Sequence, residues 1–221
     1  MFKSLFDVQF LMINSDDQEV IDILMRYKSI GYEYTDINNV NKMKVQLSNL
    51  PDNIDELNLY CHNCNLCNLS KVNNERIFSI GSKTNDVWIV GLTTTIHSAN
   101  EMMVIKNLLK NHISLNIENI YFTSIVKCET IKEVDKKDIN ICIDYLYKQI
   151  IILKPKIIIT LGESFGMIMK RNYNLQDKIG TIFDFNGSKI IPFFDPKFLI
   201  KNPSFLNSSK SIIDKIDIAS E

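Results

Sequence analysis

The chain has 221 residues, 45% hydrophobic and 23% charged, with 25 Lys and Arg against 26 Asp and Glu. Those proportions fit one globular domain, or one with a small appendage, and exclude disordered, collagen-like and low-complexity classes. The formal net charge of -1 supplies no global basic field, so any nucleic-acid contact has to come from a local patch.

In chain order, Met1 to Asn14 is apolar but is interrupted by Lys3, Asp7 and Gln9. It does not read as a signal peptide, and no apolar run approaches the roughly 18 residues of a membrane span. A cytoplasmic, monomeric protein without a membrane partner is expected. Ser15-Asp16-Asp17 opens a pattern in which Val20, Ile23, Leu24 and Tyr27 recur at helical spacing, predicting a helix over residues 16–32. Tyr34 to Asn58, rich in Asn and Asp and containing Pro51, reads as a connector that becomes helical at its end. This gives an N-terminal extension over 1–57 and a main domain over 58–221. The extension is a candidate surface for a protein partner.

Four short β-branched runs follow, at Val87 to Val90, Ile120 to Thr123, Ile157 to Thr160 and Lys189 to Phe193. Continuous apolar strands of this kind suit a parallel sheet covered on both faces. Helical patterns lie between them: one over Met102 to His112, and a stripe of Ile139, Cys142, Ile143, Leu146, Ile150 and Leu153. The fold class read from this order is α/β, a three-layer α/β/α arrangement around a mostly parallel four-stranded sheet. In such folds sites gather beyond the carboxyl ends of the strands, here just after Val90, Thr123, Leu161 and Phe193.

The five cysteines are Cys61, Cys64, Cys67, Cys128 and Cys142. In a reducing compartment a C-x-x-C-x-x-C run points to a metal or cluster rather than to disulfides. Cys128 follows a strand, and Cys142 lies on the inward stripe of the next helix, so two further thiolates can converge on the loop. Four thiolates suit zinc or a [4Fe-4S] cluster, and ordinary buried thiols are the third reading.

Seven separated segments carry a resemblance: C-N-L-C-N-L (64 to 69), R-I-F-S-I-G (76 to 81), V-W-I-V-G (87 to 91), I-Y-F-T-S-I-V-K-C (120 to 128), C-I-D-Y-L-Y-K-Q-I (142 to 150), K-P-K-I-I-I-T-L-G (154 to 162) and P-F-F-D-P-K-F-L-I-K-N-P (192 to 203). Over about residues 58 to 205 the chain resembles the iron-sulfur uracil-DNA glycosylases, family 4 of that superfamily. The resemblance implies the uracil-DNA-glycosylase fold and a structural [4Fe-4S] cluster. The family pattern of Cys-x-Leu after the second ligand maps its ligands onto Cys64, Cys67, Cys128 and Cys142 and leaves Cys61 as a spare. Zinc is the runner-up.

The same resemblance shows what the base pocket has lost. The family's acid-bearing loop after the first strand here reads Gly91-Leu92-Thr93-Thr94-Thr95-Ile96-His97, with no carboxylate before Glu101. The span is too short for the aromatic that stacks on uracil. Ser124 stands in place of a base-reading Asn, and Asp195 in place of a His that donates to the uracil oxygen. An ionised Asp only accepts hydrogen bonds and repels the anion that uracil becomes as it leaves. Losing one such electrostatic donor costs about 3 kcal/mol of transition-state stabilisation, so uracil excision is expected to be lost or altered. His97 and Asp195 are the candidate catalytic replacements. Gly91, Leu92, Thr93, Ser124 and Asp195 are the pocket positions.

DNA is the expected partner, gripped by a loop in which Lys197 and Lys201 flank the apolar wedge residues Phe198 and Leu199. Lys106, Lys110, Lys127, Lys132, Lys136 and Lys137 read as a scattered solvated surface. The rival readings are an active glycosylase with a changed base and a non-enzymatic interaction module.

Overall fold

The computed structural model describes residues 49–72, 75–110, 119–130 and 133–220. The predicted helix over 16–32, and most of the connector, lie outside the described residues.

Strands β1 (Val87–Gly91), β2 (Tyr121–Ser124), β3 (Ile157–Leu161) and β5 (Ser188–Phe193) pair in parallel, and β4 (Phe183–Phe185) adds an antiparallel edge to β5. The order across the sheet is β2-β1-β3-β5-β4. All four predicted strands are present, and the sheet has five strands rather than four. The extra strand arises from a two-residue hairpin at Asn186-Gly187, both at positive φ (52° and 81°). Asn-Gly is the sequence best suited to such a turn.

Alternate side chains of the buried strands feed two cores. Trp88, Val90, Tyr121, Ile158 and Ile190 pack on one face against Ile139, Ile143, Leu146 and Ile150 of helix α4 (Lys136–Leu153). Val87, Ile89, Phe122, Ile157, Ile159 and Ile191 pack on the other against Ile105 and Leu109 of α3 (Ala99–Leu109) and Ile212 and Ile213 of α8 (Leu206–Ser220). The predicted stripe on α4 is thus the buried one. Leu153 sits half-buried at its end, and Lys154 then takes the left-handed conformation (φ 47°) ahead of Pro155.

A third, smaller core holds Leu50, Leu57, Cys61, Phe78, Cys142 and Tyr145. It docks α1 (Ile54–His62) on α4. Asn53 caps α1 by accepting from the amides of Asp55 (2.8 Å) and Glu56 (3.2 Å). Asp52 pairs with the buried Lys148 of α4 at 2.5 Å. The division expected at 57/58 falls inside this packed helix, and Leu50 and Leu57 on its N-terminal side share the third core. The short helix α2 (Asn68–Val72) follows the cysteine loop. Residues 76–82 then run antiparallel along the free edge of β2, through the Arg76–Cys128 and Ile80–Phe122 bridges. No helix among the described residues is long and apolar enough to cross a membrane.

Candidate functional site

Strand order reverses between β1 and β3. The crevice beyond their carboxyl ends is where an open α/β sheet presents ligand groups. After Gly91 the chain turns through a 3-10 segment, Thr94–His97, and enters α3, capped by Ser98. Ile96 is buried and folds back so closely on Gly91 that a Cβ there would lie 2.9 Å from it. The loop is therefore sealed onto the strand end by an apolar side chain. Leu92 and Thr93 are half-buried and Thr94 is buried. His97 contributes its backbone to the 3-10 turn.

Ser124 ends β2, fully buried, with its hydroxyl donating to the Val126 carbonyl at 2.8 Å. Its single donor is committed inside its own turn. Gly162, at φ 58°, follows β3 and lies against Asp195, where an added Cβ would come within 3.2 Å of the Asp195 Cβ. Asp195 is exposed, and its Oδ1 caps α7 (Pro196–Lys201) by accepting from the Lys197 amide at 2.8 Å. Lys197 reaches across to the buried Glu101 on α3, Nζ to Oε1 3.7 Å. Burial holds the Glu101 carboxyl above the usual range. Lys197 opposes that shift and Asp195 reinforces it.

Helix α7 corrects one expectation. Lys197 to Lys201 form a helix rather than a loop, because Asp195 and Pro196 provide an N-cap and a proline at the first turn. Leu199 points into the core and is buried, so it is not available as a wedge. Phe198 and Ile200 are the exposed apolar residues, and Phe198 stacks on Phe194 (5.7 Å) and meets Phe205 edge-on (5.0 Å).

On the far side of α4, a cavity is lined by Cys61, Cys64, Cys67, Cys128 and Cys142 together with Arg76, Lys127, Ile141 and Tyr145. All five cysteines are free thiols, and all but Cys64 are buried. Burial pushes the Cys61 and Cys142 thiols up to about 12 and raises Cys128 as well. The Arg76 guanidinium donates to the carbonyls of Cys64 (2.7 Å) and Ser70 (3.0 Å), tying the cysteine loop together. The Tyr145 hydroxyl is buried and finds no hydrogen-bond partner of normal geometry among the described residues. The Cys64 thiol stands beside it. Among the described residues, no three His, Cys, Asp or Glu side chains are gathered tightly enough to hold a single metal ion.

Lys127 corrects a second expectation. It is fully buried, not a surface lysine, and its Nζ donates to Gln149 Oε1 (2.6 Å), Thr123 Oγ1 (2.7 Å) and the Phe78 carbonyl (3.3 Å). Burial lowers its pKa to about 8, against the pull of Cys61 and Cys142. Its amide donates to the Cys142 sulfur at 3.4 Å. Nothing in the sequence flagged this role, since its three acceptors lie on distant elements.

A model of the uracil DNA glycosylase superfamily matches residues 78–215. The chain belongs to that superfamily. A type-4 uracil-DNA glycosylase of Saccharolobus solfataricus is 23% identical over 171 residues, covering 69% of this chain and 79% of the relative. Another, from Sulfurisphaera tokodaii, is 26% identical over 112 residues, covering 46% of this chain and about half (51%) of the relative. These relatives agree with the family 4 resemblance of the sequence motifs. The superfamily match takes in Cys128, Cys142 and the whole strand-end crevice, and it begins after the Cys61 to Cys67 run. Within that run the Cys-x-Leu criterion is met twice, by Cys64-Asn65-Leu66 and by Cys67-Asn68-Leu69. It therefore does not select a ligand pair.

Proposed function

We propose that this chain is a DNA-binding, family-4-type iron-sulfur member of the superfamily in which uracil excision has been lost or altered. The observation that carries this reading is the state of the two base-reading positions. Ser124 is fully buried with its hydroxyl committed to Val126, and Asp195 offers carboxylate oxygens where a donor to the uracil oxygen is needed. Neither group stabilises a departing uracil anion, and the sealed Gly91 to His97 loop supplies no carboxylate in compensation.

The thiol cavity fits a [4Fe-4S] cluster in its donor chemistry. Five cysteines and an unpartnered Tyr145 hydroxyl line one space, and Arg76 and Lys127 stand beside it to offset the negative charge of a thiolate-bound cluster. Such a cluster would serve as a staple joining α1, the Cys128 segment and α4, since the cavity lies away from the strand-end crevice. Binding deprotonates the raised thiols. DNA would meet α7, where Lys197 and Lys201 flank the exposed Phe198 and Ile200.

A second reading, an active glycosylase with a different base, is favoured by the buried Glu101 beside Asp195, a pair that could accept hydrogen bonds from an exocyclic amine or move a proton. Base release from single-stranded and duplex oligonucleotides carrying uracil, hypoxanthine or xanthine separates the two. We expect uracil release at least about a hundredfold slower than in an active relative. Release of any base that disappears in Asp195→Ala or Glu101→Gln overturns the inactive reading.

A further inference from the structure

The inference rests on the iron-sulfur reading above and concerns which thiols hold the cluster. A [4Fe-4S] cubane takes four cysteines, and five line the cavity. We propose that Cys61, Cys64, Cys128 and Cys142 are the ligands, with Cys61 taking the place that the family spacing suggested for Cys67.

Cys61 is in the last turn of α1, 1% exposed, and shares the third core with Cys142 and Tyr145, while Cys64 packs against the same group. The Cys64 amide donates to the Cys61 carbonyl at 3.1 Å, so a single tight turn at the end of a docked helix carries both thiols. Helix α1 is fixed by Leu57 in the core and by the Asn53 cap, which makes Cys61 a preorganised donor. The buried Tyr145 hydroxyl has Cys64, Cys61 and Cys142 as its sulfur neighbours. A donor orphaned in that position has a natural acceptor in a ligand sulfur or an inorganic sulfide. Cys128 approaches the same group from the β2 side, in the field of Cys61 and Cys142 alike. Cys67 belongs to a different turn. Its amide donates to Ser70 Oγ (3.3 Å) and its carbonyl accepts from the Ser70 hydroxyl (2.7 Å) at the start of α2, with its thiol beside Cys128.

The test uses the full chain purified without oxygen, with iron and sulfide counted per chain and the reduced cluster followed by electron paramagnetic resonance. Wild type should hold about four irons. A wild type with no iron overturns the iron-sulfur reading before any variant is made. With iron present, Cys61→Ser, Cys64→Ser, Cys128→Ser and Cys142→Ser should each lose more than half of it, and Cys67→Ser should keep it with an unchanged signal. Retention of full iron and an unchanged signal in Cys61→Ser, or loss in Cys67→Ser, overturns the assignment. Because Cys61 is a core residue, Leu57→Ala on the same helix serves as the packing control. It should weaken the fold while the folded fraction keeps its iron, and loss of iron there to the same extent as in Cys61→Ser removes the support for ligation.

Discussion

A carboxyl group buried beside a second carboxylate prefers to keep its proton, and Glu101 is in that position. Its folded pKa lies above its unfolded one, so between the two values the folded state holds more protons and stability falls as pH rises. Above the window the penalty is complete. Glu101→Gln removes it, at the loss of a half-exposed pair to Lys197 that contributes little. The variant should therefore gain on wild type as pH climbs out of the ordinary carboxylate range, and the difference should then level off. Urea midpoints measured from pH 4 upward check this. A difference that is flat with pH, or that favours wild type at neutrality, would show that the carboxylate is satisfied as an anion. The sequence could not reveal this pair, because Glu101 reads as an ordinary acid in a first helical turn and meets Asp195 only through the fold. Lys127 escaped for the same reason: one lysine before a cysteine says nothing of Gln149 or the Phe78 carbonyl.

Among the elements, strands were the most legible, because buried parallel strands announce themselves as unbroken β-branched runs. The short elements are set by local signals rather than by periodicity. Asp195-Pro196 is a helix start, so Lys197 to Lys201 is helical where its mixed apolar and basic residues suggest a loop, and Asn186-Gly187 is a hairpin signal that adds β4. Helix α1 agrees with the expectation that the Asn- and Asp-rich stretch becomes helical at its end, and its Leu57 is wholly buried. Its docking can be measured. Leu57→Ala should cost about 3 kcal/mol through lost transfer energy and a residual cavity. Asn53→Ala should cost about 1 kcal/mol, from two amides left without their acceptor. Equilibrium urea unfolding reads both. Effects below about 0.5 kcal/mol for both would mean that α1 is not part of the cooperative unit.

For the whole molecule, near-neutral charge limits how DNA would be held under the proposed DNA-binding reading. With 25 basic and 26 acidic side chains, there is no broad positive field to recruit phosphates, and among the described residues α7 brings Lys197 and Lys201 to the strand ends. One of them, Lys197, is already drawn toward Glu101. If Lys197 and Lys201 each neutralise one phosphate, counterion release predicts a slope of log affinity against log salt of about -1.8 on duplex DNA and about -1.4 on single strands. Fluorescence anisotropy of a labelled oligonucleotide across a potassium chloride series gives that slope directly. Replacing both lysines by glutamine should bring it close to zero, while Phe198→Ala should weaken binding at every salt concentration and leave the slope unchanged, because an apolar wedge releases no ions. A wild-type slope of about -5 or steeper would place the contact on a larger basic surface than α7 offers. On the proposed reading, a wedge plus two lysines holds DNA only weakly and without regard to sequence, which suits a superfamily scaffold that carries Ser124 and Asp195 at the proposed base-reading positions.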